Sequence, residues 1–344
     1  MTRWVFDGIS LPTGEQVHLE AGTGAAETLP GRFVLPGLVD SHCHLTIGVS
    51  AAGPVRLDEP TAEAMLDDLA EAGVRAVRDV GGDRSITLKL ATSPADGHPL
   101  VLAAGRFFAP DGGYFPGIYE PVEADQLVTA VEAELNEGAT WIKLVADFPP
   151  VDDNGPIPGR AMTPNYTIDA VEQLIATAHA HGARVAAHVQ TALVSDLIRA
   201  GIDSVEHGEV ITPEDLAALG ARGGAWTPTI SAYGPPNPDD TPERQERRRV
   251  RTAHMTEMLP LARQYGVHVL TGSDMIGTVA GEVAQLANHG LTPAQALEAA
   301  TTSAATFLGL TTTEDLVTYD ADPRDDPAVL ATPTAVLLRG HRIR

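Results

Sequence analysis

Thr140-Trp141-Ile142-Lys143-Leu144-Val145-Ala146 is an apolar run with β-branched residues throughout and a single ammonium at its centre. Runs of this kind form strands buried on both faces of a parallel sheet, where an unpaired cation is costly. The chain takes its positive charge from twenty-one Arg and only two Lys, and one of the two stands here. Either Lys143 snorkels to water or meets a carboxylate at a strand end, or it belongs to a polar site assembled from several strands.

Seven similar runs accompany it, at 37–44, 74–80, 99–105, 183–189, 202–207, 224–230 and 266–273. Between them lie stretches of helical length at 61–72, 84–92, 123–137, 167–181, 191–200, 213–222, 242–265 and 279–289, followed by 293–308. Thr212-Pro213 and Thr292-Pro293 each place a cap residue before a first-turn proline. Eight alternating strands and helices predict a (β/α)8 TIM barrel over residues 37–310, a fold of typically about 250 residues. The ends depart from this rhythm. Short β-like pieces occur in 2–36 and again in 315–343, so residues 1–36 and 311–344 are expected to pair as a small β-sandwich domain. Pro/Gly-rich stretches at 147–165 and 231–243 read as long mobile loops at the barrel mouth.

A net charge of −23 opposes nucleic acid or an anionic membrane as partner, since both demand a basic face. One Cys excludes an internal disulfide framework, and no run of about 18 uncharged apolar residues is present to span a bilayer. The start Met1-Thr2-Arg3-Trp4-Val5-Phe6-Asp7 lacks signal-peptide character, which gives a cytoplasmic expectation.

In a (β/α)8 barrel the chemistry sits at the C-terminal ends of strands. Those ends carry His42-Cys43-His44, Lys143, His188, Glu206-His207 and Ser273-Asp274. Residues two apart on a strand share a face, so His42 and His44 can hold one ion while Cys43 points away. His179-Ala180-His181 has the same spacing but ends a helix, where two steps turn the rings about 200° apart; it reads as cations favoured at a helix C-terminus. Imidazoles with a carboxylate suit Zn2+, and also Mn2+, Co2+, Ni2+ or Fe2+.

Several segments carry a resemblance: 35–44 (LPGLVDSHCH), 73–82 (GVRAVRDVGG), Trp141-Ile142-Lys143, Ala187-His188, 204–208 (SVEHG), Thr227-Pro228-Thr229, 271–274 (TGSD) and 299–305 (AATTSAA). In their order and spacing over about residues 34–310 the chain resembles the amidohydrolase superfamily, in the branch of imidazolonepropionase-like enzymes and Xaa-Pro dipeptidases (prolidases). The resemblance implies two divalent ions: one on His42, His44 and Asp274, the other on His188 and His207. Lys143, N6-carboxylated by CO2, would bridge them. It further implies hydrolysis of a C–N bond in a small amide, peptide or cyclic amide by a hydroxide shared between the ions, with Asp274 moving its proton. Family habit allows homo-oligomers from dimers to octamers.

The chain also departs from the family pattern. Relatives often carry a second His where this chain has Gln190, and a His in the loop where it has Gly112-Gly113-Tyr114; the segment after Leu310 is shortened. These changes put the familiar substrates in doubt and leave the ligands intact. Candidate substrate contacts are Arg106, Tyr114, Gln190 and Tyr233, with an Arg suited to a carboxylate; the competing readings are an acid partner for Arg106 and loop packing for the tyrosines. Two alternative functions stand beside the hydrolase: a mononuclear heterocycle deaminase, which has no use for Lys143, and a non-catalytic metal-binding barrel.

Overall fold

The computed structural model describes residues 2–51, 53–93, 95–234, 240–311 and 314–344. Every one of the eight apolar runs contains a strand, and all of these pair in parallel. Leu38–Cys43, Val74–Asp79 and Leu100–Ala103 form one sheet in that order; Phe107–Phe108, Trp141–Val145, Arg184–Val189, Ser204–His207, Ala225–Thr227 and His268–Val269 form a second. The 99–105 run pairs only backward, through Leu100–Ala103, and the forward pairing to Lys143 and Leu144 is made by Phe107–Phe108, beyond the expected run. Backbone hydrogen bonds also cross between the sheets. Thr140 N–H donates to the Ala103 carbonyl at 3.0 Å, Ser41 N–H to Thr271 at 2.8 Å and Asp274 N–H to His42 at 2.7 Å.

Alternation along each strand sorts the side chains. Ile142 and Leu144 join the large core cluster, whereas Lys143 and Val145 line an interior cavity. At the N-terminal end of the strands Val39, Ala76, Trp141, Ala186, Ala225 and Leu270 form a separate apolar cluster that Phe307 and Leu308 pack against. Such layered filling is how a parallel barrel interior becomes a packed core. The polar residues lie above it.

Helices follow the expected order: Glu59–Glu71, Arg84–Thr92, Leu127–Asn136, Ile168–Ala180, Leu193–Ala200, Pro213–Ala221, Pro242–Gln264 and Val279–Asn288. Thr212 and Thr292 accept hydrogen bonds from the third residue of their helices, as their sequence context predicts. The expected helix 293–308 is two helices, Pro293–Ala299 and Thr302–Leu308. Thr301 leaves the helical conformation at φ −136°, ψ −94°. The expected loop 147–165 is likewise corrected. It holds two short antiparallel pairings, Asp147–Phe148 with Thr163–Pro164 and Val151–Asp152 with Gly155–Pro156. Within 231–243, residues 235–239 lie outside the described residues.

The terminal segments meet in a seven-stranded sheet built from Thr2–Ser10, Glu15–Gly22, Ala25–Thr28, Phe33–Leu35, Leu316–Tyr319, Ala335–Leu338 and His341–Arg342. One face, with Phe6, Leu29, Val34, Leu316 and Leu337, has its own core; the other, with Phe33, Leu35, Val317 and Leu338, packs into the large one. Among the described residues no helix is long and apolar enough to cross a membrane.

Candidate active site

His42 and His44 close the first strand with rings 5.6 Å apart, and Cys43 turns its thiol toward the Arg78 carbonyl. Asp274 reaches them from the end of the last run, its Oδ1 lying 3.8 Å from His42 Nε2 and 3.7 Å from His44 Nε2. One ligand atom from each of the three lies within 4.8 Å of the others, which is close enough for a shared cation. His188 and His207 stand beside this group, 4.4 Å apart by ring centroid, with His207 5.2 Å from His42. Lys143 lines the same cavity.

Backbone strain brings these groups together. In a regular strand Glu206 and His207 would face opposite sides, yet His207 has φ +67°, which turns its ring into the interior that Glu206 already faces. Asp274 (φ +54°) and Thr229 (φ +49°) share this left-handed conformation. Non-glycine residues rarely adopt it without a reason, and three of the four found among the described residues lie here. Gly272 allows the last run to approach: a Cβ there would stand 2.6 Å from His42 Cβ.

Hydrogen bonding fixes which nitrogen each ring offers. His42 Nδ1 donates to Glu206 Oε2 at 2.6 Å and His44 Nδ1 to the Gly81 carbonyl at 2.6 Å. Thr229 donates its hydroxyl to the Pro228 carbonyl and so accepts from His207 Nδ1 at 2.7 Å. In the neutral form each of these rings therefore keeps Nε2 as its lone-pair donor. His188 Nε2 is buried without a hydrogen-bond partner among the described residues, an orphan that a cation would satisfy.

Protonation follows the same logic. Burial, and then the Lys143 charge, depress His42 to about 4 and His188 to about 3; burial and His188 push His207 well below its ordinary value. Burial raises the Asp274 carboxyl, but His42, His44 and Lys143 outweigh it and hold it low. Burial also lowers Lys143 to about 8. Neutral imidazoles, an ionised carboxylate and a readily deprotonated amine are the states that metal binding requires.

The cavity, of about 180 Å³, takes in all six of these side chains together with Tyr114, Gln190 and Tyr233, and has an aromatic wall of Phe107, Phe115 and Phe148. Tyr114 packs at 4.6 Å from Phe148 and 6.1 Å from His188. Tyr233 lies under the Arg251 guanidinium, which pairs with Glu209 at 3.1 Å. Arg106 is not in this wall. Its Nε lies 2.6 Å from the fully buried Glu134 carboxylate and its Nη1 3.6 Å from Glu120. His179 and His181 bond separately, to Asp203 and to the Thr177 carbonyl, away from the cavity.

Several supporting residues had no role assigned from the sequence. Glu206 and Arg78 are wholly buried beneath the imidazoles, and Asp40 accepts from Ser273 Oγ at 2.5 Å, tying the first strand to the segment carrying Asp274. Asp79 accepts from Leu45 and Gly81 N–H and so fixes the turn whose carbonyl holds His44. The signal was available: a charge inside an apolar run, the same argument that singled out Lys143.

The amidohydrolase family model matches residues 33–316. The chain is also 34% identical to an uncharacterized protein of Mycobacterium tuberculosis (strain ATCC 25618 / H37Rv), over 98% of this chain and 90% of that protein. Among solved structures, a Xaa-Pro dipeptidase with bound methionine superposes with a TM-score of 0.80 at 20% identity, covering 99% of each chain. A prolidase complexed with N-methylphosphonate-L-proline gives 0.79 at 22%, again over 99% of each, and the ochratoxinase of A. niger gives 0.80 at 18%, over 100% of this chain and 96% of that one. At such identities the structural likeness is one of fold; the family match establishes that the chain belongs to the amidohydrolase family.

Proposed function

We propose that the protein is a binuclear metal-dependent hydrolase that cleaves an amide, peptide or cyclic-amide C–N bond in a small molecule. The observation that carries this reading is the convergence of four imidazoles, Asp274 and a buried lysine on one cavity, with Nδ1 of three of the rings engaged by a carboxylate, a carbonyl and a hydroxyl. His42, His44 and Asp274 would hold one divalent cation, most fittingly Zn2+, and His188 and His207 a second. Lys143, N6-carboxylated, would bridge them: its lowered pKa favours the neutral amine that attacks CO2.

Bound cations supply hydroxide near neutral pH by lowering the pKa of water. Asp274, whose carboxylate reaches the same cavity, would accept a proton from the attacking water and return it to the departing amine. Tyr114, Gln190 and Tyr233 orient the substrate, while Phe107, Phe115 and Phe148 exclude water and favour an apolar substituent. The names of the prolidase and Xaa-Pro dipeptidase among the structural neighbours support a dipeptide or an N-acyl amino acid. The same reading takes residues 37–310 as a closed (β/α)8 barrel, supported by the hydrogen bonds from Ser41 and Asp274 across the seam. It takes 1–36 and 311–344 as a small β-sandwich domain, supported by its separate core.

The test is hydrolysis of dipeptides, N-acyl amino acids, lactams and lactones by protein reconstituted with Zn2+ or Mn2+ in bicarbonate. Turnover of one of these classes, with two ions per chain, is expected. One ion per chain and release of ammonia from a heterocycle would establish the deaminase instead.

A further inference from the structure

Beneath the imidazoles lies a charged pair for which the proposed reaction has no direct use. Glu206 accepts three hydrogen bonds: from His42 Nδ1 at 2.6 Å, from Arg78 Nη2 at 2.7 Å and from Ser204 Oγ at 2.6 Å. Arg78 in turn donates through Nε to the Ser41 carbonyl at 2.5 Å and lies over the Trp141 ring, 4.5 Å from its centroid. Both side chains are completely buried. A pair sunk this deep carries two desolvation penalties, and apolar residues of similar volume are often as stable or more so. Fold stability alone is therefore a poor reason for it.

Its placement gives a better one. Ser41, whose carbonyl Arg78 holds, immediately precedes His42, and Glu206 immediately precedes His207; the pair thus grips the backbone and ring of one ligand and the backbone leading to another. His44 and His207 rest on neutral acceptors, a carbonyl and a hydroxyl, whereas His42 rests on a carboxylate. An anionic acceptor fixes the ring in the Nδ1–H form and raises the donor strength of Nε2.

We infer that Glu206, held in place by Arg78, is a positioning residue that orients His42 and strengthens it as a metal ligand. The inference rests on the proposed reading of His42 as a ligand. Losing such a partner reduces metal affinity by about 10- to 100-fold.

The experiment strips the full-length protein of metal and measures Zn2+ affinity by competition with a chromophoric chelator, with the absorption spectrum of the Co2+-loaded protein as a second readout. Glu206→Gln keeps an acceptor but removes the charge; its affinity is expected to fall about 10-fold or more and the Co2+ bands to shift. The double variant Arg78→Met/Glu206→Leu removes both charges and so relieves any unpaired cation. It is expected to fold as well as the wild type and still bind Zn2+ weakly. A merely structural pair predicts the reverse, wild-type affinity once the double variant has recovered its stability. Glu206→Asp leaves Arg78 a carboxylate while withdrawing it from His42, and it is the deciding variant if the other two unfold. Wild-type affinity in any folded variant overturns the inference alone. A wild-type protein that binds no Zn2+ overturns the metal reading and this inference together.

Discussion

Asp274 touches His42 twice: its backbone N–H donates to the His42 carbonyl at 2.7 Å, and its Oδ1 stands 3.8 Å from His42 Nε2. The residue proposed to move the proton is thus fixed to the strand that leads to two of the proposed ligands, His42 and His44. Asp274→Asn preserves size and backbone, removes the basic oxygen and should lower kcat by about 10²- to 10⁴-fold, the usual contribution of a positioned acid–base group. KM should change little. Steady-state kinetics on whichever substrate class is turned over, with metal content determined on the same sample, checks this; a variant with wild-type kcat would remove Asp274 from the mechanism.

Lys143 gives a prediction with a pH direction. Burial lowers its pKa from 10.5 to about 8 in the metal-free protein, so the amine is mostly protonated below pH 8 and mostly neutral above it. Only the neutral amine attacks CO2. Reconstitution of stripped protein with Zn2+ should therefore depend on bicarbonate and proceed further at pH 9 than at pH 6.5. Lys143→Met should lose this dependence and retain about one ion per chain instead of two, counted by elemental analysis.

Arg106 separates stability from turnover. It pairs with the buried Glu134 carboxylate, shared with Arg84 at 3.3 Å, and does not line the cavity. Arg106→Gln should leave kcat/KM within about twofold of wild type. It should nevertheless lower the melting temperature, because a buried carboxylate that loses one of two cations costs on the order of 1–3 kcal/mol. A large rise in KM for carboxylate-bearing substrates would instead place Arg106 in substrate binding.

What could be read from the sequence follows from how local each signal is. The HxH pair was legible because alternation along a strand is a local rule, and the chain supplied its own contrast in His179 and His181 on a helix. Lys143 was legible as an anomaly, since a charge in an apolar run demands partners; Arg78 and Glu206 fit the same argument but were not singled out, and their partners lie on other strands that only the fold names. His207 was legible as a strand-end residue, but not its direction: simple alternation sends it away from Glu206's side, and the positive φ that reverses this leaves no mark in composition. Arg106 follows a strand and so looked like a mouth residue; its partner Glu134 sits on the Leu127–Asn136 helix, at a distance in sequence that no spacing rule covers. The break at Thr301 was hidden for a related reason. Its flanks, rich in Ala and Leu, are good helix formers, and Thr301 donates its hydroxyl to the Leu297 carbonyl within the preceding helix.

Glu282 provides a stability test away from the proposed ligands. Its carboxylate is fully buried on the Val279–Asn288 helix and accepts from the N–H groups of Ile230 at 2.9 Å and Ser231 at 2.7 Å, anchoring the segment that leads to Tyr233. Burial raises its pKa from 4.5 to about 7 in spite of those bonds. Between these values the folded protein holds a proton that the unfolded chain has released, so this group's contribution is fully present below pH 4.5 and is lost as pH rises through 7. Glu282→Gln cannot titrate. Its stability relative to wild type should therefore improve steadily from about pH 4.5 to 7 and then level off, with a total change approaching about 3 kcal/mol at 1.4 kcal/mol per pKa unit. Any acceptor lost by the amide adds a constant offset and leaves the slope untouched, so urea unfolding of both metal-free proteins at several pH values isolates the titration. A pH-independent difference between them would show that Glu282 stays ionised in its pocket, and that its two backbone N–H partners, rather than burial, decide its charge.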